Sequence, residues 1–132
     1  EVASSPLKTI NVLGPRVVVC DFGNNNGLVL GGEVPNWTRC DEPELRAQTE
    51  IDGVVVGTGG ATTLPGGLRA AYAFALSRSA KRGRPLTKGE LKAGDLIATG
   101  NATGIHDIAV GQQALIRFAG YGDISCKAVP AG

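Results

Sequence analysis

Leu45-Arg46-Ala47-Gln48-Thr49-Glu50-Ile51-Asp52-Gly53-Val54-Val55-Val56 sets the architecture of this chain. Leu45, Ala47, Thr49 and Ile51 alternate with Arg46, Gln48 and Glu50, the period of two that puts one face of a strand on a core and the other in water. Asp52-Gly53 separates this run from three valines. That dipeptide accepts the positive φ angles of a two-residue turn between antiparallel strands, so a β-hairpin is expected here.

Outward from the hairpin, glycine punctuates the chain. Gly57-Thr58-Gly59-Gly60 is expected to end the second strand. Upstream, Val17-Val18-Val19-Cys20 and Leu28-Val29-Leu30 flank Asp21-Phe22-Gly23-Asn24-Asn25-Asn26-Gly27, whose residues tolerate left-handed backbone. Two buried strands joined by a tight loop are expected there. Residues 68–82 carry the one sustained helical pattern, with Leu68, Ala71, Tyr72, Ala75 and Leu76 on one stripe and its alanines suited to close packing on a sheet. Gly83 suits the position after the helix and Pro85 lies just beyond. A Gly94-Asp95 turn should feed a strand ending at Gly100, Val110-Gly111 should turn into residues 114–118, and residues 120–123 into 124–129. The expected class is mainly β (α+β), one domain over residues 1–132, with one main helix at 68–82.

Hydrophobic residues at 42% and charged residues at 19% describe a folded chain rather than a disordered one. The 20 glycines follow no collagen-like period and mark turns instead. A net charge of +1 argues against nucleic acid or an anionic membrane as the main partner. The one cationic run, Arg78, Lys81, Arg82 and Arg84, falls where cations complement a helix C-terminus. Three widely spaced cysteines, Cys20, Cys40 and Cys126, give neither a disulfide framework nor a zinc pattern, and reduced thiols in a cytoplasmic protein are expected. No apolar run is long enough to span a membrane. Glu1 in place of an initiator methionine is expected of a processed chain or a fragment.

Catalytic hardware is sparse. His106 is the single histidine, so the chain holds neither a histidine metal cluster nor a nucleophile elbow with a partner base. It is expected to be structural or solvated. Gly57-Thr58-Gly59-Gly60 lacks the Lys-Ser/Thr ending of a P-loop and the spacing of a dinucleotide fold. It could still bring backbone close to a small anionic ligand. Asp41, Glu42 and Glu44 could attract a hard cation, but a solvated loop is the expectation.

The order of these features is more specific than any one of them. Residues 24–31, the hairpin, Gly57-Thr58-Gly59, the alanine-rich helix, Leu91-x-x-Gly94-Asp95-Leu96-Ile97-x-Thr99-Gly100 and the Gly111 turn together resemble the C-terminal half of the 2-keto-4-pentenoate hydratases and their decarboxylase siblings. Those enzymes belong to the fumarylacetoacetate hydrolase superfamily. The resemblance implies a mixed β-roll in which magnesium or manganese binds a 2-keto acid substrate. It implies three carboxylate ligands, of which Glu1, in Glu1-Val2-Ala3-Ser4-Ser5, would be the third. The other two, and the general acid/base groups, would lie in an N-terminal half from the same or another chain, in an oligomer. Gly57, Thr58, Gly59, Thr99, Gly100 and Asn101 are then the expected substrate-binding residues, converging with Glu1 on one cleft.

The implied activity is hydration of 2-hydroxy-2,4-dienoates in the breakdown of aromatic compounds. The alternatives are decarboxylation of a 2-keto diacid of the 4-oxalocrotonate type, C–C bond hydrolysis, or a non-catalytic subunit of the same fold. One departure touches the site: Pro65-Gly66-Gly67 stands where such hydratases often carry Gly-His-Pro. A second is a possible one-residue offset that puts Gly57 rather than Thr58 at a typical serine position.

Overall fold

A computed structural model describes residues 1–81 and 91–130. The chain divides into two compact units, Glu1–Gly31 and Gly32–Gly132.

The first unit contains two short helices, α1 (Ile10–Leu13) and α2 (Pro15–Cys20), hinged at Gly14. The strand expected at residues 17–20 is therefore a helix. Four apolar residues cannot by themselves distinguish the two states, and Gly14 followed by Pro15 at the first helical position supplies the missing start signal. Residues 28–30 form no strand either, and Leu30 is 70% exposed. The asparagine-rich stretch pairs instead with the N-terminus. Val2 donates to the Gly27 carbonyl at 2.9 Å, Asn26 to Val2 at 3.0 Å, and Ala3 bridges Asn25.

The second unit is built on a four-stranded antiparallel sheet, β1 (Arg46–Ile51), β2 (Val54–Gly60), β3 (Gln113–Phe118) and β4 (Gly122–Lys127), in the order β2-β1-β3-β4. The hairpin is present as expected. Its turn has φ 48° at Asp52 and 79° at Gly53, and Asp52 Oδ1 accepts the Gln113 N–H at 2.9 Å, which ties the turn to the start of β3. The alternation also holds: Leu45, Ala47, Thr49 and Ile51 are all buried. With Ala61 and Ala114 they form a core of modest side chains. A register shift falls between Thr49 and Glu50, so that Thr49 faces Gly57 while Glu50 faces Val55.

Gly57-Thr58-Gly59-Gly60 does not break β2, which runs through to Gly60. Glycine inside a strand also marks close approach of another backbone, and that is its role here. The expected strand at residues 95–100 is absent. The Lys92–Asp95 turn forms, with Asp95 Oδ2 accepting the Lys92 N–H at 2.7 Å, but the chain beyond makes a single backbone bond to β2, from the Gly60 N–H to the Ala102 carbonyl at 3.2 Å, rather than a ladder.

Helix α3 (Gly67–Lys81) is the longest element and begins one residue before the expected start; Arg82, Gly83, Arg84 and Pro85 lie outside the described residues. Leu68, Ala71 and Ala75 form its half-buried face, whereas Tyr72 and Leu76, expected on the same stripe, are 41% and 38% exposed. The helix rests on the Ala61–Thr63 turn. Tyr72 meets Trp37 edge-on at 6.3 Å, and the Arg78 guanidinium lies 5.9 Å from the Phe74 ring centre. The architecture is thus α+β, with one four-stranded sheet and one main helix among the described residues. No described helix is long and apolar enough to cross a membrane.

Candidate functional site

In β2, Gly57 and Gly59 lie opposite Thr49 and Ala47 on the core face. Residues 102–106 run against this face, and they can do so because neither glycine carries a Cβ. A methyl group at Gly57 would collide with the His106 ring and the Thr103 carbonyl, and one at Gly59 with the Ala102 carbonyl. Two polar contacts fasten the crossing and a third closes the loop on itself. Gly60 N–H donates to Ala102, Thr49 Oγ1 and Thr103 Oγ1 lie 2.8 Å apart, and His106 Nε2 lies 2.9 Å from the Thr103 carbonyl.

The structure therefore brings the Gly57–Gly59 stretch together with the chain that immediately follows Thr99-Gly100-Asn101. Thr99 is half-buried and Asn101 is exposed. Gly100 adopts φ 132°, and a Cβ there would lie 2.6 Å from Leu64 Cδ2. Thr58 is different. It faces Gln48 on the opposite side of the sheet, where it lines an open cleft of about 610 Å³ with Arg46, Gln48, Thr62 and Arg117. Along an antiparallel edge strand, N–H groups point alternately inward and outward. Since Gly60 N–H points outward to Ala102, the Thr58 N–H shares that direction, while those of Gly57 and Gly59 turn toward β1. Of the three substrate-binding residues expected in this stretch, Thr58 is the one whose N–H is directed at the edge.

Glu1 belongs to the first unit. Its Oε1 accepts a hydrogen bond from Asn25 Nδ2 at 2.7 Å, and Asn25 Oδ1 in turn accepts the Gly27 N–H at 3.1 Å. A carboxylate oriented by an amide donor resembles the way metal ligands are held by their outer partners. One carboxylate does not make a centre for a hard dication, and no group of three His, Cys, Asp or Glu side chains occurs among the described residues. The residues present fit a single ligand of such a site and no more.

The Asp41, Glu42, Glu44 cluster is not a cation site. Asp41 and Glu44 are exposed, and Glu42 is buried. Its Oε1 accepts the Arg69 backbone N–H at 2.8 Å and the Arg69 Nε–H at 3.2 Å. Glu42 thus satisfies one of the orphan donors in the first turn of α3, and Gly67 is side-chain-free where that carboxylate approaches. This accounts for the second glycine of Pro65-Gly66-Gly67. The partners are 27 residues apart, so no local pattern announces the contact. His106, expected to be structural or solvated, is half-buried and bonded within its own loop.

No protein-family profile and no curated protein matches the sequence. Two solved structures share its fold. 4-Oxalocrotonate decarboxylase from Pseudomonas putida G7, complexed with calcium and acetate, aligns with a TM-score of 0.74 and 26% identity over 85% of this chain and 41% of that chain. The same decarboxylase complexed with magnesium and adipate aligns with a TM-score of 0.70 and 25% identity over the same shares. This chain spans 41% of the length of those enzyme chains. It is similar to part of a decarboxylase of the fumarylacetoacetate hydrolase type.

Proposed function

We propose that this chain is one part of a divalent-metal-dependent enzyme acting on an unsaturated 2-keto acid, its other part coming from further residues of the same or another chain in an oligomer. The observation that carries this reading is the likeness, over 85% of the chain, to a decarboxylase crystallised with calcium or magnesium and a carboxylate. Decarboxylation of a 2-keto diacid is favoured by those neighbours. Hydration of a 2-hydroxy-2,4-dienoate is the second reading, since the Leu91-to-Gly100 motif resembles the hydratases and their decarboxylase siblings alike.

A magnesium or manganese ion, held by Glu1 and by carboxylates from the other part, would supply Lewis-acid stabilisation of charge on the keto acid. The chain's own residues bind and orient. The Thr99 hydroxyl, the Asn101 amide and the edge-directed Thr58 N–H would donate to the substrate carboxylate, and Gly57 and Gly59 keep the two segments close enough to act together. Donors fixed before the substrate arrives need no reorganisation during reaction. No described residue of this chain is assigned the proton transfer.

The test uses the complete protein with magnesium, offered a 2-keto unsaturated diacid and a 2-hydroxy-2,4-dienoate. Ultraviolet loss of conjugation and carbon dioxide release are followed together. Carbon dioxide from the diacid supports decarboxylation, and loss of dienoate absorbance without it supports hydration. No turnover of either substrate class would overturn the reading.

A further inference from the structure

We propose that His106 is a positioning residue: its ring, seated over Gly57 and bonded to the Thr103 carbonyl, braces the loop after Thr99-Gly100-Asn101 against the glycine face of β2 and so fixes the segment that meets substrate. The substrate half of this inference rests on the function proposed above; the brace itself does not.

A backbone carbonyl can only accept, so the 2.9 Å contact to Thr103 requires the hydrogen on His106 Nε2. In the neutral ring Nδ1 is then the acceptor. The ring reaches back three residues and lies directly over Gly57. Thr103 is held at both its polar ends, the carbonyl by His106 and the hydroxyl by Thr49 on β1. One residue earlier, Ala102 is held by Gly60. On the other side of Asn101, Gly100 abuts Leu64. Residues 100 and 102–103 are thus pinned on either side of Asn101, whose side chain is exposed. Of these ties, the His106 bond is the one made by a ring that only a glycine at position 57 admits.

The experiment is amide hydrogen exchange and steady-state kinetics on the complete protein, comparing wild type with His106→Ala, His106→Gln and Gly57→Ala. Gln can place its Nε2 donor near the position of the imidazole Nε2. Exchange at Gly60, whose N–H donates to the Ala102 carbonyl, should accelerate at least about tenfold in His106→Ala and Gly57→Ala, and return to within about threefold of wild type in His106→Gln, with each tenfold reflecting about 1.4 kcal/mol of lost protection. KM should rise several-fold in His106→Ala while kcat stays within about twofold, the pattern of lost binding rather than lost chemistry. A nitrogen-15 spectrum should show wild-type His106 protonated at Nε2. Unchanged exchange in His106→Ala, or a hydrogen on Nδ1 alone, overturns the brace. Faster exchange with unchanged KM overturns the positioning role. A wild-type protein that turns over neither substrate class overturns the functional reading, and the exchange data still decide the brace.

Discussion

Replacing Glu42 by alanine should uncap α3 and loosen its first turn. The buried carboxylate accepts the Arg69 backbone N–H at 2.8 Å, a cap-type bond whose loss costs about 1 kcal/mol. Its negative charge at the start of a 15-residue helix adds about 0.5 kcal/mol through the dipole. The Nε contact to Arg69, whose side chain is 48% exposed, adds no more than about 0.5 kcal/mol after solvent screening. Glu42→Ala should therefore lower stability by about 2 kcal/mol, which corresponds to about 30-fold faster exchange at the Arg69 amide. Glu42→Gln keeps an acceptor and loses the charge, and should cost about half as much. Urea denaturation gives the global change, and site-resolved hydrogen exchange places it at the first turn of the helix. Wild-type midpoint and wild-type Arg69 exchange in Glu42→Ala would refute the cap.

Gly59→Ala should destabilise the second unit by about 1–3 kcal/mol, since its methyl meets the Ala102 carbonyl and the Thr63 hydroxyl; a chemical denaturation midpoint equal to wild type would contradict the close approach. Thr49→Val and Thr103→Val each remove one member of the 2.8 Å hydroxyl pair and should each cost about 1 kcal/mol, with a double variant clearly less destabilised than the sum. Strict additivity in that cycle would mean the hydroxyls do not interact. Titrated with manganese, residues 1–132 alone should show no micromolar site, because Glu1 is the one candidate ligand for such a centre among the described residues. Adding the rest of the fold should create a site that Glu1→Gln weakens at least about tenfold by calorimetry, the scale seen when a metal-site residue is lost.

The hairpin was legible because two local signals agreed: the alternation of residues 45–51 and an Asp-Gly turn. The helix was legible for the same reason, with a sustained period and few competing patterns. Residues 17–20 were misread because β-branched residues suit strands, while the helix start lay in Gly14-Pro15, outside the apolar run. The glycines of β2 were misread as a break because their purpose is a contact with residues 102–106, more than forty positions away. The same distance hid Thr49, Thr103 and His106 as a group. Gly57, Thr58 and Gly59 were grouped from sequence as substrate-binding residues, but strand alternation separates them, and only the sheet reveals which way each N–H points.

The register shift between Thr49 and Glu50 sets the parity of everything after it in β2. Val56 is the residue the shift absorbs, so Gly57 and Gly59 fall opposite Thr49 and Ala47. Without it, Gln48 would face Gly57 and Ala47 would face Thr58, putting a branched side chain where the Ala102 carbonyl now lies, because successive residues point to opposite faces. Deleting one valine from Val54-Val55-Val56 would remove the residue the shift absorbs, so a regular hairpin would keep Gly57 and Gly59 opposite Thr49 and Ala47, whereas inserting one valine without a further shift would exchange the inner and outer faces of the strand beyond it. Loss of one residue in this stretch should consequently be tolerated and gain of one should not, a rule that homologous or engineered sequences with altered hairpins can be read against.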